Sequence, residues 1–504
     1  MRSLFAKHRD LITMQHHFFR SVIAFAFTFA SIASASATTM QLAQGGMGQV
    51  LLFPYYTARN GTVSLVSIVN STIAAKAVRV NIREARGGFV VAQLNVYMSA
   101  KDVWTAAIVN DADGAMLISN DKSCTAPVIG NGLPFSNAEY RADLPLLGVE
   151  LGTLGSRDRT REGYVEVIEM ASIPNPSLTG RTVTHVAGVP ACSNVTDVAY
   201  APPAADLVAP SGGLYGTLSW VNVSQGMLAS SPATAIENFW LTGADAPTPR
   251  VVAANTRSID LTSGKNTSVS FNVRGEPYAA RFANSIDAVS ALLMTSTANS
   301  EYAATQDGVI GTILVATVPT KPYYTRGGAL GPFTSRWDQS TAQSCDTTAI
   351  ASFSREEEIP PPYEGGVPPP SPPSNICFVA NPILVGTKGS YVQLQTTDDA
   401  TYLGSSLTVG FLGVQAGSTT VLKPGKEGGW ASLYWLGKLS AVDASVYRRN
   451  AAGALAWTPV LMTLTGLPVI GFTMAQSAYK TGSPQQNYAD ATPLRTDVTV
   501  TEGK

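Results

Sequence analysis

From Gln49 onward the chain runs in short apolar stretches, each closed by a turn signal. Val50-Leu51-Leu52-Phe53 stops at Pro54, and Arg59-Asn60-Gly61 has the make-up of a hairpin turn. Residues 62–69 alternate so that Val63, Leu65, Ser67 and Val69 share one face of a strand. Val78, Val80 and Ile82 do the same within 77–82. Arg86-Gly87-Gly88 is the next turn, and strand patterns over 89–98 and 103–109 follow. Strands broken by a turn about every 8–12 residues predict a mainly β fold of antiparallel β-sandwich domains, immunoglobulin-like in class.

The pattern recurs toward the C-terminal end, with strands predicted over 214–223, 267–273, 309–318, 391–396, 430–436, 460–464 and 469–474. One stretch departs from it. Ile286, Val289, Leu292 and Leu293 recur at helical spacing, which predicts a short helix near 285–304. Residues 359–374 are rich in proline and favour extended polyproline II, as an exposed loop or an interdomain linker. The expected organisation is a sandwich domain over 38–205, ending at the breaks Pro202-Pro203 and Pro210. A second mainly β domain spans 206–358 and carries the helix. Strands over 375–504 complete that domain or form a third.

The first 37 residues follow a different rule. Arg20 precedes an apolar run from Ser21 to Ile32, and Ala35-Ser36-Ala37 has the small residues of a signal-peptidase site. This reads as a secretory signal cleaved near Ala37, with Met14 an alternative start to Met1. The run is shorter than the roughly 20 residues of a membrane span, so the mature chain is expected to carry no transmembrane helix. It is expected to be secreted, or to lie in the periplasm or on the outer cell surface. No L-P-x-T-G anchor, lipobox cysteine or C-terminal apolar tail appears. An outer-membrane barrel fits poorly with the polar end Thr501-Glu502-Gly503-Lys504 and with the helical patch.

Charge narrows the set of partners. Residues 1–37 hold Arg2, Lys7, Arg9, Arg20 and Asp10, so the remainder has 30 basic and 34 acidic residues, a formal charge of −4. That balance argues against nucleic acid, whose phosphates need a basic surface. Charged residues make up 14% of the chain, against about 25% in typical soluble domains. The four cysteines, Cys124, Cys192, Cys345 and Cys377, are an even set without C-x-x-C spacing, which suggests two disulfides and not a metal site. Three connectivities exist. The sequence-local pairs Cys124–Cys192 and Cys345–Cys377 are preferred, because each bridge then lies within one half of the chain.

Catalytic chemistry finds little support. His185 is the only histidine after residue 37, so a Ser-His-Asp or Cys-His mechanism would have to use it, and its Thr-Val-Thr-His-Val setting reads as a strand. No G-x-S-x-G elbow, H-E-x-x-H helix or Walker loop is present. Gly45-Gly46-Met47-Gly48 precedes a strand and reads as a flexible lead into the first sandwich. Glu166 and Glu169 are the best carboxylate pair for a glycosidase, yet three positions along a strand put them on opposite faces. Glu356, Glu357 and Glu358 read as a solvated run. Asp111 and Asp113 hint at a calcium loop, but Gly114 comes too early and a turn is the simpler reading. Tyr55-Tyr56, Tyr323-Tyr324 and Trp104 could stack sugars or cap the core, and capping is preferred.

Several short patterns keep one order along residues 45–475. They are Phe53-Pro-Tyr-Tyr-Thr57, Asp102-Val-Trp-Thr-Ala106, Val289-Ser-Ala-Leu-Leu293, Asn299-Ser-Glu-Tyr302, Val318-Pro-Thr-Lys-Pro-Tyr-Tyr324, Ser344-Cys-Asp346 and Gly466-Leu-Pro-Val-Ile-Gly-Phe472. In these the chain resembles a group of uncharacterised secreted or surface proteins of Gram-negative bacteria. The resemblance implies a secreted or surface location, supports the Cys345–Cys377 pair and names no catalytic residue. The expectation is a non-enzymatic structural or interaction protein of the cell surface, with no cofactor, no metal, and a protein or glycan as partner. The alternative is a secreted carbohydrate-active enzyme or glycan binder.

Overall fold

A computed structural model describes residues 39–145, 152–241, 251–303, 310–327, 329–355, 374–385, 420–422, 428–450, 453–477 and 487–503. The expected signal over 1–37, the strand over 391–396, Glu356 to Glu358 and the prolines of 360–373 lie outside those residues. The first half contains five long strands in succession: β1 (Val50–Thr57), β2 (Val63–Asn70), β3 (Ala75–Glu84), β4 (Val90–Met98) and β5 (Val103–Asn110). After several short helices come β6 (Glu162–Ile173), β7 (Leu214–Asn222) and β8 (Met227–Pro232). The second half adds helix α1 (Ser285–Leu293), β9 (Ile310–Thr317), α2 (Lys321–Thr325), β10 (Asp443–Arg449), β11 (Leu455–Thr465) and β12 (Ile470–Ser477).

These strands form antiparallel sheets, as the alternation predicts. A seven-stranded sheet has β1, β6, β3 and β4 side by side at its centre. A six-stranded sheet runs β8, β7, β2, β5, Ala115–Ile118 and Leu133–Pro134. Both pack on one core, to which β1 gives Leu51 and Phe53, β3 gives Val80 and Ile82, and β2 gives Val66 and Ile68. Strands β9 and β12 of a third sheet reach the same core with Val315 and Phe472. There Trp220 of β7 meets Phe472 with ring centroids 4.6 Å apart. A second core lies around α1, whose Ile286, Val289, Leu292 and Leu293 are all buried. Asn284 caps that helix by accepting from the Asp287 N–H at 2.9 Å. The helix ends at Leu293, short of the expected 304, because residues 297–303 alternate between buried and outward positions and form the strand Thr297–Ala303.

Sheet pairing crosses the boundary expected near 205. Strand β7 pairs with β2, and Thr234–Glu237 pairs with β1, so residues on both sides of the prolines share the same sheets. Residues after 375 likewise complete sheets of the middle segment: Gly428–Tyr434 lies between Thr297–Ala303 and Asp346–Ser354, and β12 pairs with β9. Met40–Lys504 forms one compact unit.

Both preferred disulfides are present, Cys124–Cys192 and Cys345–Cys377. The second sits beside the antiparallel pair Asp346↔Ile376, whose strands are neighbours in one sheet. Among the described residues no helix is long and apolar enough to cross a membrane.

Candidate interaction surfaces

Every residue of β1, β3 and β6 is buried. A sheet covered on both faces ordinarily reads as continuous apolar sequence. This one instead holds Lys76, Arg79, Arg83, Glu84, Glu162, Glu166 and Glu169, each at most 6% exposed. Buried charge is tolerated when paired, and here the charges find partners far along the chain. Lys76 Nζ donates to Glu169 Oε1 at 2.6 Å, and that carboxylate also accepts from the Ser211 and Gly212 N–H groups. Arg83 Nε lies 2.7 Å from Glu166 Oε2. Arg159 Nη2 lies 3.0 Å from Glu84 Oε2, and Arg59 pairs with Glu162 and Asp158. Arg79 has backbone partners instead, the carbonyls of Ala253 and Ala254 at 3.1 Å. Burial without a carboxylate beside it lowers its pKa to about 10.

These networks occupy the groups that sequence reading offered for catalysis. Glu166 and Glu169 stand opposite Asn81 and Val78 of β3, an odd step apart, and so project to opposite faces as expected. Burial raises the Glu166 carboxyl above the usual range, with Arg83 opposing the rise. His185 Nδ1 is 2.6 Å from Ser99 Oγ and 3.7 Å from Asp102 Oδ2. A Ser-His-Asp triad needs serine and carboxylate on different ring nitrogens; here both approach the same one. Asp102 Oδ2 accepts from the Ser99 N–H and the Ser123 hydroxyl, so the cluster ties loops together. Asp111 and Asp113 both pair with Arg157, and Asp111 and Gly114 close a turn through their backbones. No group of three or more metal-ligating side chains is found among the described residues.

A cleft of about 420 Å³ lies between Asp143 and the turn at 336–340. Both its carboxylates are engaged. Asp143 accepts from Trp337 Nε1 at 2.6 Å, and Asp338 accepts from the N–H and hydroxyl of Ser340. The Arg326 guanidinium stacks over Phe89 at 3.5 Å. Among the described residues no free acid–base pair faces this space.

The aromatic residues singled out from sequence belong to the interior. Tyr55, Tyr56 and Trp104 are at most 1% exposed, Tyr324 is buried, and Tyr323 is half-buried, its hydroxyl accepting from Arg83 Nη2 at 2.8 Å. Exposed rings lie elsewhere, at Tyr215, Trp430 and Tyr488 and as a pair on β10 and β11. Trp457 is 51% exposed and Tyr447, its cross-strand partner, 38%; their centroids are 5.4 Å apart at 51°. Leu455, Pro459 and Leu461 continue the same outward face, while Val446, Met462 and Leu464 point into the second core. Alternation in Leu455-Ala-Trp457-Thr-Pro459-Val-Leu461 was the signal for this stripe. It is easily passed over, because both faces of β11 carry apolar residues.

A second surface is the outward face of the six-stranded sheet. Strand β2 presents Val63, Leu65, Ser67 and Val69; β5 presents Val103, Thr105, Ala107 and Val109. On β7 the outward residues are Tyr215, Thr217, Ser219 and Val221. Pairing across β7, β2 and β5 has no register shift.

Fold and surfaces together define an antiparallel, disulfide-linked β protein whose ionisable groups are largely locked in structure and whose unpartnered features are sheet faces. No protein family, curated protein or solved structure was found to match the chain.

Proposed function

We propose that the chain is a secreted, non-enzymatic interaction protein of the bacterial envelope, and that it binds a partner protein through the stripe on β10 and β11. The observation that carries this reading is the outward Trp457–Tyr447 pair with Leu455 and Leu461 beside it. Exposed apolar patches of this kind mark interaction sites. Aromatic anchors ringed by apolar neighbours suit protein hot spots. The ring planes, 51° apart, make a poor platform for a flat sugar. The two disulfides and the signal-like N-terminus fit an oxidising, extracytoplasmic setting.

The test is a pull-down from the outer-membrane fraction with the mature chain and a Trp457→Ser/Tyr447→Ser variant. A single protein retained at fixed stoichiometry by the wild type, and lost by a variant with an unchanged unfolding midpoint, supports the reading. Retention of polysaccharide instead favours a glycan binder. Turnover of polysaccharide, ester or peptide that disappears in His185→Ala or Glu166→Gln replaces it with an enzyme.

A further inference from the structure

We infer that the outward face of the six-stranded sheet binds a second copy of this chain. None of its outward residues on β2, β5, β7, β8 or Ala115–Ile118 is Asp, Glu, Lys, Arg or His. They are apolar residues, small hydroxyl residues and one tyrosine. Leu65 sits near the middle, opposite Ala107 on one side and Ser219 on the other. Asp121 reaches the edge of this face by accepting from the Thr105 N–H at 3.1 Å, but the strands themselves offer a charged partner nothing to complement, and anionic lipid headgroups find no basic residue on them. An identical face matches it. The largest apolar patch on a monomer is about 300–600 Å² and is often functional.

Size points the same way. Strand spacing near 4.8 Å and a rise near 3.4 Å per residue give the sheet an area of roughly 600 Å². Two copies face to face would bury roughly 1,200 Å², the lower end of what stable interfaces need. An unbroken register leaves the face free of bulges, and two such sheets pack about 10 Å apart with their strands at about −30°. A two-fold axis through the face keeps it closed and leaves the β10–β11 stripe of each copy free for another partner.

The test is the mass of the mature protein in solution by light scattering and sedimentation, for wild type, Leu65→Glu, Thr105→Lys and Trp457→Ser. The expected result is a dimer for wild type and for Trp457→Ser. Leu65→Glu and Thr105→Lys are expected to be monomers with the wild-type circular dichroism spectrum, their dissociation constants raised by ~100-fold or more. Thr105→Lys, at an exposed hydroxyl position, keeps the test open if Leu65→Glu does not fold. A wild type that stays monomeric at tens of micromolar overturns the inference. So does a dimer that survives both charge substitutions, or a monomer that binds zwitterionic phosphatidylcholine vesicles through Leu65. Loss of the dimer only in Trp457→Ser would place self-association on the other stripe and overturn it as well.

Discussion

Lys76 and Glu169 form an ion pair, 2.6 Å apart and both fully buried, between strands whose sequences are 93 residues apart. Without Glu169, Lys76 keeps only the hydroxyls of Ser172 and Ser211. Without Lys76, Glu169 keeps the Ser172 hydroxyl and two backbone N–H donors. Breaking a buried pair costs about 3–5 kcal/mol. Glu169→Gln is therefore expected to cost more than Lys76→Met, and the double variant less than the sum of the two. Urea unfolding of the three variants checks this; additivity within about 0.5 kcal/mol would mean the groups act independently.

Glu84 gives the protein a signed pH dependence. Burial alone would raise its carboxyl, but Arg159 and the N–H groups of Arg86 and Gly87 outweigh that and hold it below the usual carboxylate range. A depressed folded value stabilises above the unfolded one, near 4.3, and that contribution is lost as pH falls through the folded value. Glu84→Gln is expected to lose about 3–5 kcal/mol at neutral pH. The deficit should shrink between about pH 5 and pH 2 as the wild type protonates. A deficit that stays constant across that range would mean the charge of Glu84 does not stabilise the fold.

How far this was legible from sequence differs between elements. The period-two pattern located β2, but it did not reveal which face meets the core. Ser64, Val66, Ile68 and Asn70 are buried, while Val63, Leu65, Ser67 and Val69 face outward. Two polar side chains can point inward because local backbone satisfies them: Ser64 Oγ donates to Thr57 O, and Asn70 Nδ2 to Ala74 O and Ser99 O. The buried ion pairs Lys76–Glu169 and Arg83–Glu166 of β3 and β6 were not legible. The partners are cross-strand, and no local pattern encodes that pairing. The same holds for the prolines near 205, which mark a connection between β6 and β7 and not the end of a sheet. The presence of two disulfides and the face positions of α1 were legible, since parity and helical period carry them directly, whereas the connectivity rested on a preference for sequence-local pairs.

The Cys345–Cys377 bridge closes the Pro-rich connection between Asp346–Ser354 and Ser374–Ile376. Replacing both cysteines by serine is expected to lower stability by roughly 2–4 kcal/mol, measured by urea unfolding. Peptide mapping under non-reducing conditions should find this pair and Cys124–Cys192. A cross-pair such as Cys124–Cys345 would contradict the fold.

The central claim is that this chain works by contact through the β10–β11 stripe. Site-specific photo-crosslinking from position 457 in exporting cells tests it most directly, with position 436, in the exposed turn at Leu436, as the control. The account predicts one discrete protein adduct from 457 and none from 436. No adduct from 457, or the same set of adducts from both positions, would contradict it.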